Sequence, residues 1–166
     1  MNGLKRGFPV MKEQIGGKLI CISGIPGTGK STICNLLNDL GYTCVEGNAL
    51  AVKYGCLSGD EVDVDCLSDR MRSDNFKGIV AAHYAHLLPC NIVIILEADE
   101  SALRQRMMDR GYSPEKIDEN LDAQRSDTIY AESLERLPAN RIFRIRNADL
   151  NVALSDILRI IGGRNG

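Results

Sequence analysis

The stretch KLICISGIPGTGKS, Lys18 to Ser31, decides the fold. Leu19, Ile20, Cys21 and Ile22 form a short unbroken apolar run, the pattern of a strand buried on both faces. Gly24 to Ser31 then fits G-x-x-x-x-G-K-[ST], a phosphate-binding loop. Glycines at 24, 27 and 29 let successive backbone N–H groups converge on an anion with no Cβ in the way. A helix following the loop points its positive end at the same spot. Lys30 is placed to neutralise β- and γ-phosphates, and the Ser31 hydroxyl to ligate Mg²⁺.

Working outward, Thr32–Leu40 carries Ile33, Leu36, Leu37 and Leu40 at helical spacing, with Gly41 as its stop. Tyr42–Glu46 reads as a second strand. A short helix over 48–53, a Gly-punctuated turn over 55–59 and an extended piece Glu61–Asp65 follow, and then a helix over 67–76. Gly78–Ala82 and Asn91–Leu96 (NIVIIL) are buried-looking strands. A helix over 101–110 ends at Gly111. Pro114–Leu137 reads as a long polar helix or a helix pair, 142–145 as the last strand, and 152–161 as the last helix. Strands alternating with helices imply an α/β fold, a parallel sheet covered on both faces, with its ligand site at the carboxyl ends of the strands.

Residues 18–166 are expected to form one domain, and Met1–Gly17 a poorly ordered extension within which Met11 is an alternative start. With 20 basic and 22 acidic residues the net charge is −2, so nothing draws the whole chain to nucleic acid or to an anionic membrane. No apolar run reaches the ~18 residues of a membrane span, and the first 17 residues lack the apolar core of a signal peptide. Six scattered cysteines without C-x-x-C spacing read as free thiols in a reducing, cytoplasmic compartment.

Two further places carry chemistry. His83-x-x-His86 follows a buried strand; a residue there is a catalyst or simply a satisfied polar group, and two imidazoles with no third ligand make no zinc site. Arg106 and Arg110 share one helix face, with Arg104, Lys116 and Arg125 nearby. Arg110 lies at the helix end beside Gly111-Tyr112, where a mobile segment could swing its guanidinium over phosphates.

GIPGTGKST, EVDVD, H-x-x-H-x-L-P and RMMDRGYSPEKI-x-EN-L, in that order, resemble the ribosome-associated small adenylate kinases. These are adenylate kinase isoform six, also called the coilin-interacting nuclear ATPase protein, and its archaeal counterparts; the likeness runs from about Lys18 to Gly162. It implies a P-loop NTPase with a five-stranded parallel sheet, and an ATP:AMP phosphotransferase that also hydrolyses ATP. By the same resemblance Gly27, Gly29, Lys30, Ser31, Thr32 and Arg110 would hold ATP, and Thr28 in the loop and Arg106 on the helix face of Arg110 are expected to bind it with them. Ser31 would hold Mg²⁺, and Lys30, His83 and Arg110 would serve catalysis. Residues 46–65 would bind the acceptor AMP, and 109–119 would form a short lid. A uS11-type ribosomal protein and the small-subunit rRNA precursor would be partners in ribosome maturation. One departure stands out: the acidic residue that such proteins place two positions before the motif histidine is Ala81 here. Mg²⁺ would then rest on the nucleotide oxygens, Ser31 and water, with another carboxylate such as Glu97 or Asp99 nearby.

A kinase is therefore set against a nucleotide-gated ribosome assembly ATPase, a binding protein of low activity and a small-metabolite kinase. Stimulation by AMP, rather than by a ribosomal partner or RNA, separates the first two.

Overall fold

A computed structural model describes residues 15–162. Five parallel strands form the central sheet: β1 (Leu19–Ser23), β2 (Cys44–Glu46), β5 (Gly78–Ala81), β6 (Ile92–Glu97) and β7 (Ile142–Arg146). Their order is β2-β5-β1-β6-β7, so β1 is central and flanked on both sides. The unbroken Val/Ile runs follow from this, since both sheet faces are covered. On one face α1 (Lys30–Asp39) and α7 (Leu150–Ile161) bury Ile33, Leu37, Ile157 and Ile161 against Ile20, Ile22 and Ile94. On the other, α2 (Gly47–Tyr54) and α3 (Val64–Ser73) bury Leu50, Leu67 and Met71 against Leu19, Cys21 and Val80. α4 (Glu100–Asp109) and α5 (Pro114–Arg125) close over Ile25 through Leu103, Met107, Ile117 and Leu121.

Several expectations change in detail. The extended piece ends at Val62: β3 (Leu57–Ser58) and β4 (Glu61–Val62) make a small antiparallel hairpin, and Val64-Asp65 already belongs to α3. The reason is Asp63, whose side chain accepts the Cys66 N–H and caps that helix. The long polar stretch is a pair, α5 and α6 (Thr128–Leu134), divided at Asp127 in the left-handed conformation (φ 53°). Of the expected N-terminal extension only 15–17 lie within the described residues, and there Ile15 is buried in the core.

The cysteine expectation is overturned for four of the six. Cys34 on α1 is bonded to Cys44 on β2, and Cys56 to Cys66 across the hairpin, with Cα atoms 5.4 and 5.6 Å apart. Each pair is ten residues apart in sequence, and only the packing of α1 on β2 and the reversal at the hairpin bring them together. Cys21 and Cys90 remain free. Among the described residues no helix is long and apolar enough to cross a membrane.

Candidate active site

The loop after β1 wraps a cavity of about 310 Å³ lined by Gly27, Gly29, Lys30, Ser31, Thr32, Glu46, Asn48, Ala81, His83 and Arg110, among others. It lies where the strand order reverses beside β1, the crevice in which open α/β sheets bind ligands. Gly29 has φ +101°, and a Cβ there would stand 2.5 Å from Asn147 Nδ2. The conformation favours glycine, and a Cβ would also push the Asn147 amide from its place.

The loop is braced from outside. Thr28, fully buried, donates its hydroxyl to the Ile25 carbonyl (2.9 Å), so its side chain is spent within the loop. Arg106 donates to the Gly27 carbonyl at 2.5 Å and sits behind the loop; it does not line the cavity. Asn147, just past β7, donates to the Thr28 carbonyl (3.0 Å), and its own N–H donates to Glu97 O (2.7 Å). Sequence reading passed over Asn147, since a lone asparagine after a strand has no spacing signature.

Lys30 donates to the Gly24 and Ile25 carbonyls at 2.7 and 3.0 Å. Burial, and then the Arg110 guanidinium, push its ammonium down from 10.5 to about 8, partly offset by the Glu46 carboxylate. Ser31 and Thr32 are exposed at the start of α1 and open to the cavity. Lys30, Ser31 and Thr32 thus meet Arg110 from the end of α4 across one space.

The H-x-x-H pair divides its tasks. His83 reaches the surface and lines both the loop cavity and a neighbouring cavity of about 390 Å³ bounded by Tyr84, Tyr112, Lys116 and Ile129. Burial, Lys30, His86 and Lys116 all lower its pKa from 6.5. His86 is buried: its Nδ1 lies 2.9 Å from Ser23 Oγ and its Nε2 2.7 Å from Glu132 Oε1, tying α6 to the end of β1. The second histidine is thus a structural tie, and the first faces the cavities. Arg104 pairs with Asp118, and Arg125 with Glu100 and Asp122, all at the surface.

Two carboxylates expected near the site are elsewhere. Glu97 accepts from Arg144 (2.8 and 3.1 Å) and Asp99 pairs with Arg146 (3.0 Å); neither lines the loop cavity. Glu46 does line it, and so does Asn48, which accepts a 2.8 Å bond from the Tyr84 hydroxyl. Gly47 between them is fixed by crowding: a Cβ there would lie 2.7 Å from that hydroxyl and 2.8 Å from the Ala82 Cβ. Among the described residues no group of three or more His, Cys, Asp or Glu could hold a metal unaided. The oxygen donors present, Ser31, Thr32 and Glu46, suit a hard cation that arrives on phosphate oxygens.

A parallel sheet with this loop at the end of its central strand defines a P-loop protein of the kinase type. Solved structures share the fold: a shikimate kinase from Bacteroides thetaiotaomicron (TM-score 0.60, 10% identity, 87% of this chain and 98% of that one). A gluconokinase from Sinorhizobium meliloti is similar at TM-score 0.51 and 19% identity over 89% of this chain and 95% of that one. The AAA domain family matches residues 20–127. A Thermoplasma acidophilum protein is 99% identical over 148 residues, covering 89% of this chain and all of that one. A Thermoplasma volcanium relative is 54% identical over 145 residues (87% of this chain, 95% of that one). One from Archaeoglobus fulgidus is 36% identical over 139 residues (81% and 75%). All three carry the name "Putative adenylate kinase". The chain belongs to the AAA domain family and, within it, to this archaeal group.

Proposed function

We propose that the chain is a nucleoside monophosphate kinase that transfers the γ-phosphoryl group of MgATP to AMP, giving two ADP. The observation that carries this is the convergence of Lys30, Ser31 and Arg110 on one cavity whose other lining residues include Glu46 at the end of β2 and Asn48 at the start of α2. The loop N–H groups and Lys30 hold the β- and γ-phosphates. An AMP phosphate oxygen bonds to the γ-phosphorus as the bond to the β–γ bridging oxygen breaks. Lys30 and Arg110 stabilise the charge spread over the group in flight, and closure of 109–119 keeps water out. Mg²⁺, held by Ser31 and phosphate oxygens, would neutralise part of that charge.

The test is ADP formation from MgATP with and without each nucleoside monophosphate. A rate that rises strongly with AMP supports the assignment; a slow rate indifferent to every monophosphate removes it. A second reading rests on His83, whose low-pKa imidazole faces both cavities and could accept a hydrogen bond from a water near the γ-phosphate. ATP hydrolysis gated by a uS11-type ribosomal protein, as the resemblance implies, would then be stimulated by that partner and abolished in His83→Ala.

A further inference from the structure

P-loop proteins hold Mg²⁺ with the loop Ser or Thr and with an acidic residue at the end of a neighbouring strand. Here the carboxyl end of β5, beside β1, offers only Ala81 and Ala82. One strand further out, Glu46 ends β2, and its Cα pairs in register with that of Ala81. Its half-buried side chain is the only carboxylate among the residues lining the loop cavity. Among the described residues it takes part in no ion pair or side-chain hydrogen bond; it is felt only as charge, at Lys30 and at Tyr84. A free carboxylate facing a phosphate cradle repels the ligand unless a cation stands between them.

We infer that Glu46 is the carboxylate that anchors, through water, the Mg²⁺ carried by the bound nucleoside triphosphate, taking the place that Ala81 leaves without an acid. An inter-strand step of about 4.8 Å separates the two positions, and the longer glutamate side chain with one bridging water spans it. Mg²⁺ sheds its waters reluctantly, so anchoring through water is its usual mode. Glu97 and Asp99 cannot serve, being held by Arg144 and Arg146.

This inference rests on the cavity being a triphosphate site, and one titration separates the two ideas. The affinity of a β,γ-imido ATP analogue is measured by calorimetry with Mg²⁺ and with EDTA, in wild type and in Glu46→Gln. The ratio of the two dissociation constants equals the factor by which the protein tightens Mg²⁺ on the analogue. Loss of a partner of this kind is expected to lower that ratio by about tenfold or more. The metal-free affinity should hold or improve, which also shows that the variant is folded. Ala81→Asp added to Glu46→Gln should recover the ratio. A Glu46→Gln protein with the wild-type ratio overturns the assignment. Wild type that binds the analogue equally with and without Mg²⁺ overturns it while leaving the nucleotide site standing. Wild type that binds neither form overturns both.

Discussion

Lys30 joins electrostatics to function at the scale of one residue. Its ammonium, lowered to about 8 by burial and by Arg110, begins to lose its charge just above neutral pH. Triphosphate binding needs that charge, so the dissociation constant of an ATP analogue is expected to rise between pH 7.5 and 9.5. In Arg110→Ala the rise should start at higher pH, because one of the causes lowering the lysine is gone. Lys30→Ala should remove transfer by about 10²- to 10³-fold or more. The unfolded lysine titrates near 10.5 and so binds more protons than the folded one between about 8 and 10.5. The ligand-free fold therefore gains stability as pH rises through that window. Denaturant midpoints at pH 7.5 and 9.5 test this: wild type should rise and Lys30→Met should be flatter. Thr28 and Arg106 show what residue-level reading misses. Their positions in the motifs were legible, but their side chains brace the loop, a fact fixed by partners 3 and 79 residues away.

Two disulfides and one buried histidine hold the elements in place. Cys56–Cys66 closes the hairpin and the start of α3, and Cys34–Cys44 ties α1 to β2. Each loop spans about ten residues, for which chain entropy predicts roughly 2–3 kcal/mol of stabilisation. A paired Cys→Ser replacement at either bridge should lower the denaturant midpoint by a matching amount, and a dithiol reductant should lower the wild-type midpoint but not that of the variant lacking both bridges. The rule that predicted free thiols is one of compartment, whereas a disulfide needs two cysteine Cα atoms brought within bonding reach, and the packing supplied that here. His86 links β1 to α6 through Ser23 and Glu132. Removing its partner in Glu132→Ala should cost about 1–3 kcal/mol. Burial lowers the His86 pKa below 6.5 despite the opposing pull of Glu132, so the folded state binds fewer protons there than the unfolded chain. Its contribution is present above pH 6.5 and lost as pH falls through the folded value. His86→Asn should therefore flatten the fall in stability between pH 6.5 and 5.5.

At the scale of the molecule, the loop is only as rigid as the sheet that carries it. Ile20, Ile22 and Ile94 are fully buried at the centre, and Ile94→Ala is expected to cost about 2–5 kcal/mol with the fold retained. The site in turn stabilises the fold: a Mg²⁺–nucleotide complex at a hundred times its dissociation constant should add about 2.7 kcal/mol, seen as a higher melting temperature that Lys30→Ala loses.

Strand and helix existence, the parallel sheet and the phosphate loop could be read directly from residues 18–31 and from runs such as NIVIIL. Local periodicity and backbone requirements are written into adjacent residues. The strand order, the pairing of the cysteines, the division of labour between His83 and His86 and the bracing by Asn147 depend on which distant segments meet. Glu46 makes the same point. Sequence order pointed to Glu97 and Asp99, whereas parallel pairing of β2 with β5 sets Glu46 level with Ala81, 35 positions away along the chain. Side-chain chemistry is local, but proximity is a property of the folded sheet, and only the tertiary structure decided which carboxylate lines the loop cavity.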